Sequence, residues 1–290
     1  MEPPSVPERP WDDREAPGGL RIGTAGWAVP GAVAELFPAG GSHLERYAAR
    51  FSAAEINSSF HRPHRRTTYA RWAASVPPGF RFSVKLPKAI SHDASTRDQD
   101  ALIARFAEEA LGLGERLGVL LVQFPPKRLF DGEAADRLFA ALAAAFPCPI
   151  ACEPRHASWF TATADDLLVR RRIARVAADP APSPGAGAPG GWTGLRYHRL
   201  HGSPVIYRSS YDEQALAQLH QTLAAELATG AETWCIFDNT ASSAATGNAA
   251  ALLGLSFPHG PAHKVPTEGS GTLSAGGVTV AGKGRYEGEA

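Results

Sequence analysis

Over about 240 residues eight short runs of strand-forming residues alternate with seven helix patterns, and this rhythm narrows the fold of the chain sharply. The predicted strands are 21–25, 53–60, 80–86, 119–124, 150–153, 173–178, 195–201 and 233–238. Helix patterns follow at 43–51, 66–75, 98–117, 132–146, 164–172, 212–229 and 244–255. The stretch 180–191, after the sixth strand, carries Pro and Gly and no helical period. The expectation is an α/β protein, a (β/α)8 TIM barrel whose sixth helix is missing or replaced by a loop. A doubly wound open sheet is the runner-up. It needs a glycine fingerprint that lets a pyrophosphate approach the backbone after an early strand. Gly23-Thr24-Ala25-Gly26-Trp27 has the wrong spacing, and Trp27 is too bulky.

The ends of the chain read differently from its middle. Residues 1–19 are rich in Pro, Glu and Arg, predicting a disordered segment, and residues 258–290 turn to Gly, Ser, Pro and Thr, predicting a flexible tail. Val278-Thr279-Val280 is a weak strand pattern within that tail. Residues 20–257 are expected to form one domain. The 29 basic and 29 acidic residues of the whole chain cancel, so no global field draws it to nucleic acid or to an anionic membrane. No apolar run is long enough for a membrane helix. Cys148, Cys152 and Cys235 form neither a CxxC pair nor a disulfide framework. They read as reduced thiols in a cytoplasmic protein.

A parallel barrel collects the C-terminal ends of its strands on one face, and sites form there. In this chain nearly every such end carries a group that can donate, accept or titrate. Strand two supplies Glu55, Asn57 and Ser59, and strand three Lys85, with His92 beyond it. Strand four supplies Gln123; strand five, Glu153, Arg155 and His156; strand six, Asp179. In strand seven, alternation places Tyr197, Arg199 and His201 on one face. Strand eight ends in Asp238 and Asn239. Any one of these could be a structural ion pair, and Trp27, Trp159, Phe60 and Phe124 read as packing rather than ligand stacking. Their concentration carries the argument, because burying so many polar groups without a ligand is costly.

The chemistry of the set points in several directions. Glu55 and Glu153 suit two-carboxylate work on a glycosidic bond only at the right separation. Glu55, Glu153, Asp238 and His201 could together ligate a divalent metal, though Lys85, Arg155 and Arg199 crowd the same cleft with positive charge. Those three cations with His201 fit an anion better. Asn239 and Thr240, before a last helix capped by Ser242 or Ser243, add a second anion-binding position.

Seven segments resemble the YecE-like family, also called the domain of unknown function 72 family. They are Gly23–Trp27, Glu55–Phe60, Phe82–Pro87, Gln123–Pro126, Glu153–Trp159, Tyr197–Gly202 and Phe237–Asn239, and they run in family order over about residues 20–255. The resemblance implies a TIM barrel of unestablished activity. The chain departs from the family at His61, where a tyrosine is usual, at Pro154, where an aromatic is common, and at Asp238, where an asparagine is frequent.

The functional expectation is an enzyme of isomerase-like or hydrolase-like type acting on a small anionic or polyhydroxylated substrate, such as a sugar phosphate. His201, Glu153, Glu55 and Asp238 are the candidate catalytic groups. Asn57, Lys85, Gln123, Arg155, His156, Arg199 and Asn239 are the candidate substrate contacts. The alternatives are a nucleic-acid-processing or nucleic-acid-binding barrel and a non-catalytic ligand-binding protein.

Overall fold

The computed structural model describes residues 19–92 and 98–257. The expected N-terminal segment, except Gly19, and the expected tail with its Val278–Val280 pattern lie outside the described residues.

The strands are β1 (Leu20–Ala25), β2 (Ala53–Ile56), β3 (Arg81–Lys85), β4 (Leu117–Gln123), β5 (Ile150–Glu153), β6 (Ile173–Arg175), β7 (Ala177–Asp179), β8 (Gly190–Gly191), β9 (Leu195–Leu200) and β10 (Glu232–Phe237). Their order in the sheet is β7-β9-β10-β1-β2-β3-β4-β5-β6-β8, and every pairing is parallel except β6 with β8. β6 and β7 are two halves of the predicted sixth strand. The first half pairs with β5 and the second with β9. Val176 alone separates them, and its N–H still donates to the Cys152 carbonyl of the β5 side at 2.9 Å. The sixth strand therefore hands over from one neighbour to the other, and the ring of eight positions closes through the chain itself. Between β7 and β9 there is a loop with the two-residue β8, and no helix, as the sequence predicts.

The helices around the ring are α1 (His43–Ala48), α2 (Arg66–Ala74), α3 (Lys88–Ser91), α4 (Gln99–Ala110), α5 (Gly132–Ala145), α6 (Ala162–Arg170), α7 (Glu213–Leu227) and α8 (Ala244–Leu253). Four begin at a side-chain cap: Ser42, Asp131, Thr161 and Asp212 each accept a hydrogen bond from a first-turn N–H. The helix expected over 98–117 is shorter than predicted. It ends at Ala110, and a 3-10 stretch carries the chain into β4. Gly112 lets α2 approach closely, since a Cβ there would stand 2.4 Å from the Arg66 carbonyl, and Gly114, at φ 52° and ψ −132°, turns the chain out of the helical path. The second predicted strand also stops early, at Ile56, and turns through Ser58–Phe60.

Alternation along the strands sorts the apolar residues into two cores. Those pointing outward meet the helices: Ile22, Ile56, Phe82, Val84, Leu120, Val122, Cys152 and Phe237 pack with Leu138, Leu142, Leu167 and Leu223 of the shell. Those pointing inward fill the barrel: Ala53, Val119, Leu121, Ala151, Ala174, Val176, Leu195, Tyr197, Trp234 and Ile236. Tyr197 lies flat on Trp234, with ring centroids 5.8 Å apart and an interplanar angle of 11°. This stack plugs the barrel below its C-terminal rim. The three cysteines are free. No helix among the described residues is long and apolar enough to cross a membrane.

Candidate functional site

Above the aromatic plug, inward positions change from apolar to ionic. β2 presents Glu55, β5 Glu153 and β9 Arg199, with His201 and Asp238 just past the ends of β9 and β10. All five are buried, and Arg199 has no exposed surface. Its guanidinium reaches three carboxylates. Nε and Nη2 donate to Glu55 at 3.0 and 2.6 Å, Nη1 to Glu153 at 2.6 Å, and Nη2 also to Asp238 at 2.9 Å. The Tyr197 hydroxyl supports the network from below, donating to Glu55 Oε2 at 3.0 Å, while its oxygen accepts from the Ser83 hydroxyl at 2.8 Å.

His201 bridges the second side of the network. Its Nδ1 lies 3.0 Å from Asp238 Oδ2 and its Nε2 2.9 Å from Glu153 Oε1. Both ring nitrogens thus face carboxylate oxygens, an arrangement that favours the doubly protonated imidazolium. Burial lowers its pKa, but the pull of Glu153 and Asp238 is greater, and the net shift is upward. Burial likewise pushes Glu153 and Asp238 up. Arg199 and His201 overcome it and hold both carboxyls below their ordinary range.

Three cleft residues stand nearer the solvent. Arg155 Nη2 pairs with Glu153 Oε1 at 2.5 Å and lies 3.0 Å from His201 Nε2, while its buried Nε has no hydrogen-bond partner among the described residues. Asn57 Nδ2 donates to Asp238 Oδ1 at 3.3 Å, and its buried Oδ1 is without a partner among the described residues. Lys85 lies over the face of Phe60 with its ammonium 4.3 Å from the ring centroid. Its pKa is lowered to about 8, chiefly by burial and then by Arg199, against the opposing pull of Glu55, Glu153 and Asp238. Phe60 thus packs under Lys85 and against His61 and His92, and Phe124 and Trp159 pack on each other, stacked at 4.8 Å. Trp27 also packs, against Trp72 and Phe82. Gln123 is half-buried on β4, beside Glu153 in register.

Four sequence expectations meet a different geometry. Arg199 was expected to hold an anion, yet its donors are taken by Glu55, Glu153 and Asp238, so Arg155 and Lys85 are the cations that face outward. Asn239 was expected to orient substrate hydroxyls, yet its Nδ2 is spent on the Ser209 carbonyl and Asn248 Oδ1, both at 2.9 Å. The Ser243 side chain makes no cap bond at α8. His156 uses Nδ1 to cap the turn at Ala157–Trp159 and sits half-buried at the edge of the rim.

The same geometry constrains the chemistry. A guanidinium fills the space between Glu55 and Glu153, so neither faces a sugar ring from an open cleft as paired glycosidase carboxylates do. Among the described residues no three His, Cys, Asp or Glu side chains converge on a metal position. Arg199 occupies the point on which the carboxylates converge, so this donor set does not fit a divalent cation.

Two residues that the sequence places at the strand ends, Tyr197 and His92, belong to the site although they are not among the candidate catalytic groups or substrate contacts. Tyr197 shares the inward parity of Arg199 and His201, which was signal enough to include it. His92 stands 5.0 Å from Phe60, its pKa lowered to about 4 by burial and by Lys85, Lys88, Lys127 and Arg128. A neutral imidazole there marks a gathering of cations at the mouth of the cleft.

Comparison with known proteins agrees with this architecture. The family model described as "Protein of unknown function DUF72" matches residues 21–267. The chain belongs to the DUF72 family. The match runs past Phe257, beyond the stretch of sequence resemblance. UPF0759 protein YecE from Escherichia coli K12 is 30% identical over 106 residues, which is 37% of this chain and 38% of that protein. The chain thus aligns with well under half the length of this curated relative. A DUF72 protein from Enterococcus faecalis V583 superposes with a TM-score of 0.67 at 21% identity, covering 84% of this chain and 99% of the other. One from Thermotoga maritima MSB8 gives 0.65 at 23% identity, covering 81% and 97%. At these identities the likeness concerns the fold.

Proposed function

We propose that this DUF72 barrel is an enzyme acting on a small anionic or polyhydroxylated substrate, bound at the C-terminal rim and turned over by acid–base chemistry. The observation that carries the reading is the Glu55–Arg199–Glu153–His201–Asp238 network. Buried ion pairs seldom repay their desolvation in stability, and a hydrophobic filling would serve the fold as well. Charge retained at that depth, on the face where barrels place their sites, is better explained by use. In this reading Arg199 is a positioning residue that fixes Glu55, Glu153 and Asp238. The His201–Glu153 pair holds a proton beneath the substrate and exchanges it. Arg155 grips the anionic group, and Asn57 and Gln123 orient hydroxyls.

Calorimetric titration with inorganic phosphate and with ribose 5-phosphate, beside thermal melts, tests the proposal. Arg155→Lys loses the planar fork but keeps the charge, so affinity should fall about tenfold with little change in melting temperature. Absence of binding to the wild type, or a variant that loses stability while binding unchanged, would overturn the reading. A second reading rests on the cations around His92: Lys88, Lys127 and Arg128 could follow a nucleic-acid backbone across the mouth. Its signature is a steep fall of DNA or RNA affinity with salt.

A further inference from the structure

Lys85 stands apart from the rest of the network. Glu55, Glu153 and Asp238 are matched in number by Arg199, Arg155 and the His201 imidazolium, so the cluster balances without it. Among the described residues its ammonium has no ion-pair partner and no hydrogen bond, although the residue is only 8% exposed. Its main chain is held firmly, because Ser59 Oγ donates to the Lys85 carbonyl at 2.7 Å. The residue type is itself notable. The chain has five lysines against twenty-four arginines, and arginine grips a planar anion better. What lysine alone offers is a nitrogen that can shed its proton and attack.

We propose that Lys85 is a covalent nucleophile, whose amine forms an imine with a small anionic aldehyde or ketone held at this rim. The inference rests on the rim being a ligand site and adds a reaction that acid–base chemistry alone does not supply. The surroundings favour it. Burial and the neighbouring Arg199 guanidinium both disfavour the ammonium and raise the neutral fraction at pH 7. Phe60 shields one side of the nitrogen, and Arg155 supplies the charge that selects an anionic carbonyl compound.

The step balances without an added oxidant or reductant. The nitrogen lone pair forms a bond to the carbonyl carbon, and the C=O π pair moves to oxygen. Oxygen takes up a proton as nitrogen gives one up, which yields a carbinolamine. Loss of that oxygen as water, carrying away the second amine proton, leaves the C=N bond.

The full chain, incubated with glyoxylate and sodium cyanoborohydride at pH 7 and then mapped by peptide mass, tests this. Hydride from the reagent fixes any imine as a secondary amine. Lys85 should be modified at least about tenfold faster than the exposed Lys88 and Lys127, because burial and Arg199 favour its neutral amine and the rim holds the anionic aldehyde beside it. Lys85→Arg should abolish that adduct and leave the exposed sites labelled as before. Modification of Lys85 at or below the rate of the exposed lysines would overturn the proposal. Phosphate titration of the same sample separates the two readings. Phosphate binding without a Lys85 adduct sinks the imine and leaves the cleft standing, whereas neither binding nor adduct sinks both.

Discussion

At the scale of single residues, three cations that look alike in the sequence have three different situations. Arg199 is enclosed by carboxylates, Arg155 reaches from Glu153 toward the cleft, and Lys85 lies on Phe60 without a counter-ion at contact distance. Alternation along β9 made the inward direction of Arg199 legible. It could not show that Glu55, Glu153 and Asp238 meet on that guanidinium, because they arrive from strands distant in sequence. Removing Arg199 leaves buried negative charge uncompensated. Arg199→Ala should therefore cost about 3–5 kcal/mol, a drop on the order of 10 °C in melting temperature. A variant melting within a degree or two of the wild type would show that the network relaxes easily. Lys85 should behave in the opposite way. The fold disfavours its charge, the pKa falling from 10.5 to about 8, while Arg199, Glu55, Glu153, Asp238 and His92 form its titrating and charged surroundings. The unfolded chain binds that proton more tightly, so below pH 8 the charged amine opposes folding, and wild-type stability recovers as pH rises from 8 to 10.5. Lys85→Met should accordingly melt higher than the wild type at pH 7, with the advantage shrinking across that window. A Met variant less stable at pH 7 would mean that the ammonium holds the cleft together.

At the scale of elements, most boundaries in the sequence lay within a few residues of those in the structure, and the misses have physical causes. The apolar period of α4 continues past its end, but Gly114 takes a left-handed φ that turns the chain toward β4. Asn57 continues the strand alternation by residue type, yet the chain has already turned. The division of the sixth strand at Val176 has no local signature, since it arises from the switch of partner between β5 and β9. One contact of the same non-local kind joins α1 to the barrel. The Tyr47 hydroxyl accepts the Thr24 N–H at 2.7 Å and donates to the Ala53 carbonyl at 3.0 Å, linking the paired strands β1 and β2. Tyr47 is wholly buried, so no water can replace it without rearrangement. Tyr47→Phe should cost about 1–3 kcal/mol, because it strands a buried donor and a buried acceptor together. Hydrogen exchange at Thr24 should report it directly. Unchanged protection there, with unchanged stability, would mean that the two strands close the gap themselves.

At the scale of the whole molecule, the barrel interior is zoned along its axis. An apolar layer ends at the Tyr197–Trp234 stack, and an ionic layer occupies the rim above. The zoning was legible as a trend, since strand after strand ends in polar residues, and the eightfold rhythm gave the barrel. The pairing within the ionic layer is what sets the pH response of the molecule. Glu153 and Asp238 titrate below their ordinary values of 4.5 and 3.8, so their contribution to stability is present above those values and is lost as pH falls through the lowered ones. His201 is raised above its ordinary 6.5, so its contribution is complete below 6.5 and is lost as pH rises through the folded value. Glu153, Asp238 and His201 should therefore support the fold most strongly between about pH 4.5 and 6.5, where all three are charged. Melting temperatures of wild type and His201→Gln, measured from pH 4 to 9, check the sign. The gap between them should be widest near pH 5–6 and should narrow above neutrality. It should also persist in concentrated salt, because buried pairs are poorly screened. A gap that widens as pH rises would mean that His201 is neutral in the fold, and its place as the proton-holding partner of Glu153 would then have to be given up.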